Sequence, residues 1–260
     1  MLEPLQYLLA AFSGGLVGFT LGLVGGGGSI LAVPLMVYLV GVSSAHVAIG
    51  TSALAVAANA ATGLVSHARA GTVKWRCGGM YAAAGVLGAL AGSTLGKAVD
   101  GQKLLLLFAL LMIVVGALML RKRRSEDLPD VKCNRTNAPK VLGFGLGTGA
   151  FSGFFGIGGG FLIVPGLIAS TGMPMINAVG TSLMAVAAFG LTTALNYAIS
   201  GMIDWPLAAV FIAGGIAGGM VGTLAAQRLA DSGKLTKVFA TLIFAVAGYM
   251  LWRSASALLG

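Results

Sequence analysis

Bare glycine backbone, small hydroxyl side chains and very few carboxylates are what a small anion needs, and this chain sets them out twice. Gly25, Gly26, Gly27, Gly28 and Ser29 precede Ile30-Leu31-Ala32-Val33-Pro34; about 130 residues later Gly156-Ile157-Gly158-Gly159-Gly160 precede Phe161-Leu162-Ile163-Val164-Pro165. A helix that begins at Ser29 or at Gly160 aims unbonded N–H groups and a partial positive charge into the gap before it. Such an end attracts anions. Gly26, Gly27, Gly28, Gly158, Gly159 and Gly160 are therefore candidate substrate-binding positions, together with Ser29. Each glycine costs near 1 kcal/mol in a regular helix relative to alanine, so both runs are expected to break the helical ladder. The plainer reading is that they only let neighbouring helices cross closely.

The duplication continues downstream. Residues 48–58 and 178–188 agree at eight of eleven positions, and both contain Gly-Thr-Ser, at Gly50-Thr51-Ser52 and Gly180-Thr181-Ser182. The hydroxyls of Thr51, Ser52, Thr181 and Ser182 can donate to an oxyanion without adding formal charge; the alternative is a bond back to their own helix carbonyls. Asn59 departs from the repeat, because its counterpart is Phe189; Asn177 matches Val47, and His46 matches Ile176. Asn59 and Asn177 join the candidate set as residues that shape substrate choice. His67, beside Arg69, reads as a loop residue.

The missing chemistry narrows the field. The acidic residues are Glu3, Asp100, Glu126, Asp127, Asp130, Asp204 and Asp231, all outside the expected spans. Proton pumps and cation pathways place ionisable groups inside the membrane. A phosphate-binding loop of the Gly-Lys-Ser/Thr type does not occur, and Gly143-Phe144-Gly145-Leu146-Gly147 lies in an apolar stretch with no strand before it. No nucleophile–base set, metal-ligand cluster or cofactor motif is visible, so no catalytic residue, metal or cofactor is assigned. Cys77 and Cys133 are isolated and flanked by basic residues, and read as free thiols.

These groups must be positioned inside a bilayer. Hydrophobic residues make up 57% of the chain and charged ones 9%, with a mean hydropathy of +0.96. A soluble domain carries about a quarter charged residues. The expected fold is all-α, a polytopic membrane protein with apolar segments at about 5–24, 28–41, 46–66, 76–97 and 102–120, then 141–155, 159–172, 176–198, 206–226 and 235–252. The second segment of each set is too short for an ordinary span of roughly 20 residues. Residues 1–120 form the first repeat, 121–140 a basic linker and 141–260 the second repeat. Arg121, Lys122, Arg123, Arg124, Lys132, Arg135 and Lys140 put that linker in the cytoplasm, along with the connection holding Arg69, Lys74 and Arg76. The matching connection in the second copy, Gly201 to Trp205, has no Lys or Arg and belongs outside. The copies thus form two inverted-topology repeats of about five transmembrane or half-membrane helices each. The net charge of +9 is accounted for by topology; a nucleic-acid partner would need a basic face with stacking aromatics. Gly88, Gly92 and Gly96, and Gly214, Gly218 and Gly222, recur every four residues as helix-packing stripes. They serve partners inside the chain or in a homodimer. Pro34 and Pro165 are structural, and Trp75 and Trp205 are interfacial anchors.

The two Gly-rich–Val-Pro units and the Gly-Thr-Ser helices resemble the sulfite exporter TauE/SafE family, also called the 4-toluenesulfonate uptake permeases, over about residues 8–252. Gly27, Gly28, Pro34, Thr51 and Ser52 match its first motif, and Gly158, Gly159, Gly160, Pro165, Thr181 and Ser182 its second. The resemblance implies a bacterial inner-membrane transporter of small sulfur-containing anions such as sulfite, sulfonates or sulfoacetate. The expected function is secondary transport or facilitation, with export by alternating access and a site between the repeats. The competing expectation is a channel-like or non-transporting membrane subunit that recruits a partner through its linker.

Overall fold

The computed structural model describes residues 3–120, 133, 137–156, 160–229 and 244–253, and among them every regular element is helical. The first copy contributes α1 (Pro4–Val24), α2 (Gly28–Leu39), α3 (Ala45–Arg69), α4 (Trp75–Ala98) and α5 (Gly101–Leu120). The second contributes α6 (Ala138–Phe155), α7 (Gly160–Thr171), α8 (Met175–Ile199), α9 (Trp205–Leu229) and α10 (244–253). Pro4–Leu23, Ala45–Arg69, Trp75–Ala98, Met175–Ile199 and Trp205–Leu224 are long and apolar enough to cross a bilayer. The chain is a multi-pass membrane protein. α2 and α7, twelve residues each, are about 18 Å long against a hydrocarbon core of about 30 Å.

The first glycine run differs from expectation. It keeps helical hydrogen bonding in a tighter form, a 3-10 helix over Gly25–Leu31. Glycine tolerates that tighter winding, and the chain then folds back until Gly28 lies against Thr20 and Leu21 of α1. Gln6 Nε2 donates to the Val40 carbonyl at 3.1 Å, tying the end of α2 to the start of α1. After Pro34, which has no N–H to donate, the ladder widens into a π-helix over Leu35–Leu39. In the second copy α6 stops at Gly156, whose φ of 66° is left-handed, and α7 carries Pro165 inside it. Positive-φ glycines recur at equivalent places, Gly41 with Gly172 and Gly71 with Gly201.

The copies interlock. α1 packs on α9, α4 packs on α6, and the equivalent helices α3 and α8 pack on each other. Glycines set these crossings and answer where the stripes point. A β-carbon on Gly14 would run into Phe211, on Gly18 into Gly215, on Gly218 into Gly15 and on Gly222 into Phe19, so α1 and α9 run parallel. Gly145 against Tyr81, Gly149 against Gly85 and Gly153 against Ala89 make α4 and α6 parallel too. Gly50 lies against Tyr197 while Gly63 faces Leu183, so α3 and α8 are antiparallel. Without a hydrophobic drive between helices in lipid, such close approach is where packing energy comes from. Gly88, Gly92, Gly96, Gly218 and Gly222 are all used inside the chain.

One reading is corrected here. Cys77 and Cys133 are not free: they are disulfide-bonded across 56 residues, with Cα atoms 5.4 Å apart. The sequence hid the pair because the bond joins the first turn of α4 to the linker, which are neighbours only after α4 and α5 have crossed out and back. Maleimide treatment of the unreduced, denatured protein should therefore modify neither cysteine, and prior reduction should add two labels by mass; two labels without reduction would contradict the pairing.

Candidate functional site

The cavity of interest is not at the glycine runs. It lies between α1, α3 and α9, has a volume of about 80 Å³, and is lined by Asn59, Thr62, Ser66 and His67 of α3, by Thr223, and by bare backbone at Gly215. Liquid water occupies about 30 Å³ per molecule, so the space suits a few waters or a small compact solute. Leu21, Leu183 and Met220 supply apolar wall.

Asn59 is its central group. It is 3% exposed, and neither Oδ1 nor Nδ2 has a hydrogen-bond partner. Its amide lies over Gly215, where a β-carbon would collide with Nδ2. A buried amide left without partners costs roughly 1–3 kcal/mol. Thr62 donates to the Asn59 carbonyl at 2.7 Å and Thr223 to the Gly219 carbonyl, so both hydroxyls offer lone pairs rather than protons. His67 sits in the last turn of α3, not in a loop, because α3 runs to Arg69. Its Nδ1 is 2.9 Å from the Thr72 hydroxyl, which in turn donates to the His67 carbonyl at 3.1 Å.

The Gly-Thr-Ser hydroxyls do other work. Thr181 Oγ1 accepts from the Lys74 N–H at 2.9 Å, and Thr51 Oγ1 accepts from the Asp204 N–H at 3.0 Å. Each thus satisfies a free N–H at the start of the other copy's fourth helix. Ser52 and Ser182 donate to their own helices, at Ile49 (3.1 Å) and Val179 (2.7 Å). Asn177 Nδ2 donates to the Thr72 carbonyl at 2.9 Å, another cross-copy tie. Because α3 and α8 are antiparallel, Thr51 and Thr181 lie at opposite ends of the pair, roughly 20 Å apart along the axis. They are not brought into one site. Replacing Thr181 with valine should cost about 1 kcal/mol of stability, as for a lost helix cap. The check is thermal melting beside flux: a loss of flux without a fall in melting temperature would return Thr181 to the solute path.

Of the remaining candidates, Gly26, Gly27, Gly28 and Ser29 belong to the 3-10 segment, which packs on α7. Gly160 opens α7, and Gly158 and Gly159 lie outside the described residues. Among the substrate-binding candidates read from the sequence, only Asn59 lines the cavity, joined by His67, which the sequence places in a loop. Thr62, Ser66, Thr223, Gly215 and Gly219 were missed. A signal existed: Asn59, Thr62 and Ser66 follow i, i+3, i+7 spacing, a polar stripe on one face of an apolar helix.

Crossing helices, half-length helices with proline inside, and a polar cavity among them are features that membrane transporters share. The sulfite exporter TauE/SafE family matches residues 10–250, and the chain belongs to that family. A "Probable membrane transporter protein" of Xylella fastidiosa (strain 9a5c) is 55% identical over 93% of this chain and 94% of its own. A second such protein, from Bacillus subtilis (strain 168), is 24% identical over 83% of this chain and 87% of its own. A third, from Methanocaldococcus jannaschii, is 26% identical over 70% of each. No solved structure matches.

Proposed function

We propose that the protein exports a small sulfur-containing oxyanion, of the sulfite, sulfonate or sulfoacetate class, across the bacterial inner membrane by alternating access. The observation that carries this reading is the unpartnered Asn59 amide in a cavity between the two copies. The Asn59 amide is the donor the cavity offers an anion, and its lining carries no carboxylate to repel one. Inverted repeats support the mechanism, since exchanging the conformations of the copies turns one face open and the other closed. The antiparallel packing of the equivalent helices α3 and α8 is what an axis in the membrane plane produces. The excess of Lys and Arg in the linker 121–140 supports placing that face in the cytoplasm. Expulsion needs no coupling ion, because an interior-negative potential favours it by about 2.3 kcal/mol per charge per 100 mV, a gradient of about fiftyfold.

The test is efflux from proteoliposomes loaded in turn with sulfite, methanesulfonate, sulfoacetate and sulfate, under an imposed inside-negative potential. Saturable efflux, selective among the four, is the expected result. Flux that rises linearly with concentration favours a channel, and no flux of any of them ends the anion reading.

A further inference from the structure

The open cavity has an image in the other copy, and it is filled. Gly85 corresponds to Gly215, and the residues lying on them correspond as well: Asn59 on Gly215, Phe189 on Gly85. The Phe189 ring is fully buried and stacks on Tyr81, with centroids 6.4 Å apart. Three of the residues that repeat the cavity lining here are Ser152, Thr193 and Tyr197, the counterparts of Leu21, Gly63 and His67. All three are fully buried, and none of their hydroxyls has a hydrogen-bond partner. Phe189, Thr193 and Tyr197 follow one another at i, i+4 and i+8 along α8, a single stripe.

Buried polar atoms without partners are few in the described residues, and their distribution is not random. Of seven such atoms, two belong to Asn59 in the open cavity and three to Ser152, Thr193 and Tyr197 in its image. Tight packing alone gives no reason to bury three hydroxyls around an apolar plug, since each is costly without a partner. A partner in another conformation does. At the outer end of the same stripe, Lys97 Nζ donates to Asn196 Oδ1 (2.8 Å), the Asn196 carbonyl (3.0 Å) and Ser200 Oγ (2.9 Å), and lies 5.9 Å from the Tyr197 ring centre. Asn196 in turn donates to Ser93 Oγ at 2.6 Å. A cation held at that mouth suits an anion.

We propose that the chain carries a second, occluded half-site between α4, α6 and α8, the image of the open cavity, which receives the small oxyanion once the Phe189 ring moves aside. This rests on the transport reading above. Phe189 is then the gate of the face opposite the linker, and Ser152, Thr193 and Tyr197 are the groups it covers. The exchange of Asn59 for Phe189 also makes the two conformations unequal: burial of the ring holds the protein with its linker-side cavity open.

The experiment uses the full chain in proteoliposomes with Cys77→Ser and Cys133→Ser, and a membrane-impermeant methanethiosulfonate as the probe. Thr193→Cys reports the closed half-site and Thr62→Cys the open cavity. Adding Phe189→Ala to Thr193→Cys should raise labelling from the face opposite the linker at least tenfold, and methanesulfonate should slow it. Unchanged labelling, or added labelling from the linker face, overturns the gate; a gain that methanesulfonate does not slow overturns the binding site. Should Phe189→Ala not fold, Phe189→Leu, a shorter plug, gives the same comparison. The two readings fail separately: Thr62→Cys protected by methanesulfonate while Thr193→Cys stays silent leaves the cavity standing without the half-site. Thr62→Cys left unprotected sinks the transport site itself.

Discussion

Replacing Asn59 with leucine should reduce saturable anion efflux at least tenfold while leaving the protein folded and no less stable. The two halves of that expectation have one cause. The amide is 3% exposed and has no hydrogen-bond partner in the protein, so its burial adds nothing to the fold and costs up to roughly 1–3 kcal/mol. An apolar side chain of similar size removes that cost. The melting temperature should hold or rise. With an anion in the cavity, the same amide gains a charge-assisted hydrogen bond of roughly 1.5–3 kcal/mol, which is about ten- to a hundredfold in affinity. A residue that costs stability and returns it only when a guest binds belongs to function. Wild-type flux in Asn59→Leu would remove this cavity from the transport path. A drop in flux together with a drop in melting temperature would make Asn59 a structural residue instead.

The second large effect lies in the helix crossings. Gly149→Leu should abolish folded protein, and Gly147→Leu, two residues earlier on α6, should change almost nothing. A β-carbon at Gly149 would meet the Gly85 carbonyl and α-carbon of α4, which are backbone and cannot turn away. Overpacking costs about 1–3 kcal/mol even where side chains can shift, so a clash with a neighbouring helix axis falls at or beyond the top of that range. At Gly147 and at Gly143 a β-carbon meets nothing within 4 Å. Monodisperse yield after detergent extraction reads the difference. Equal yields from both variants would mean that α4 and α6 are not in contact.

The glycine pattern alone did not separate these positions. Gly143, Gly145, Gly147 and Gly149 alternate along the sequence, yet only Gly145 and Gly149 touch α4. The i, i+4 spacing of Gly88, Gly92 and Gly96 correctly marked a packing face, but sequence cannot say whose helix fills it. The Gly-Thr-Ser motifs are a similar case. Their duplication was plain, and it suggested one shared anion site. In the structure duplication produced two copies of one joint, with Thr51 on Asp204 and Thr181 on Lys74. Symmetry repeats structural devices as faithfully as functional ones. The informative position was among those that broke it: Asn59, opposite Phe189.

What the sequence determined by itself was local or additive: helices of membrane-spanning length, two half-length segments that begin at glycine runs, and a chain built twice. Hydropathy and helix period act over a few turns, so they survive without knowledge of partners. Only the tertiary structure decided which polar residues share a cavity, that Cys77 meets Cys133, and that Thr51 and Thr181 stand at opposite ends of α3 and α8. Those facts depend on the register and direction in which distant helices meet. That register is fixed by which backbone each glycine meets and by the antiparallel crossing of α3 and α8; the glycine period along the chain marks a packing face but not its partner.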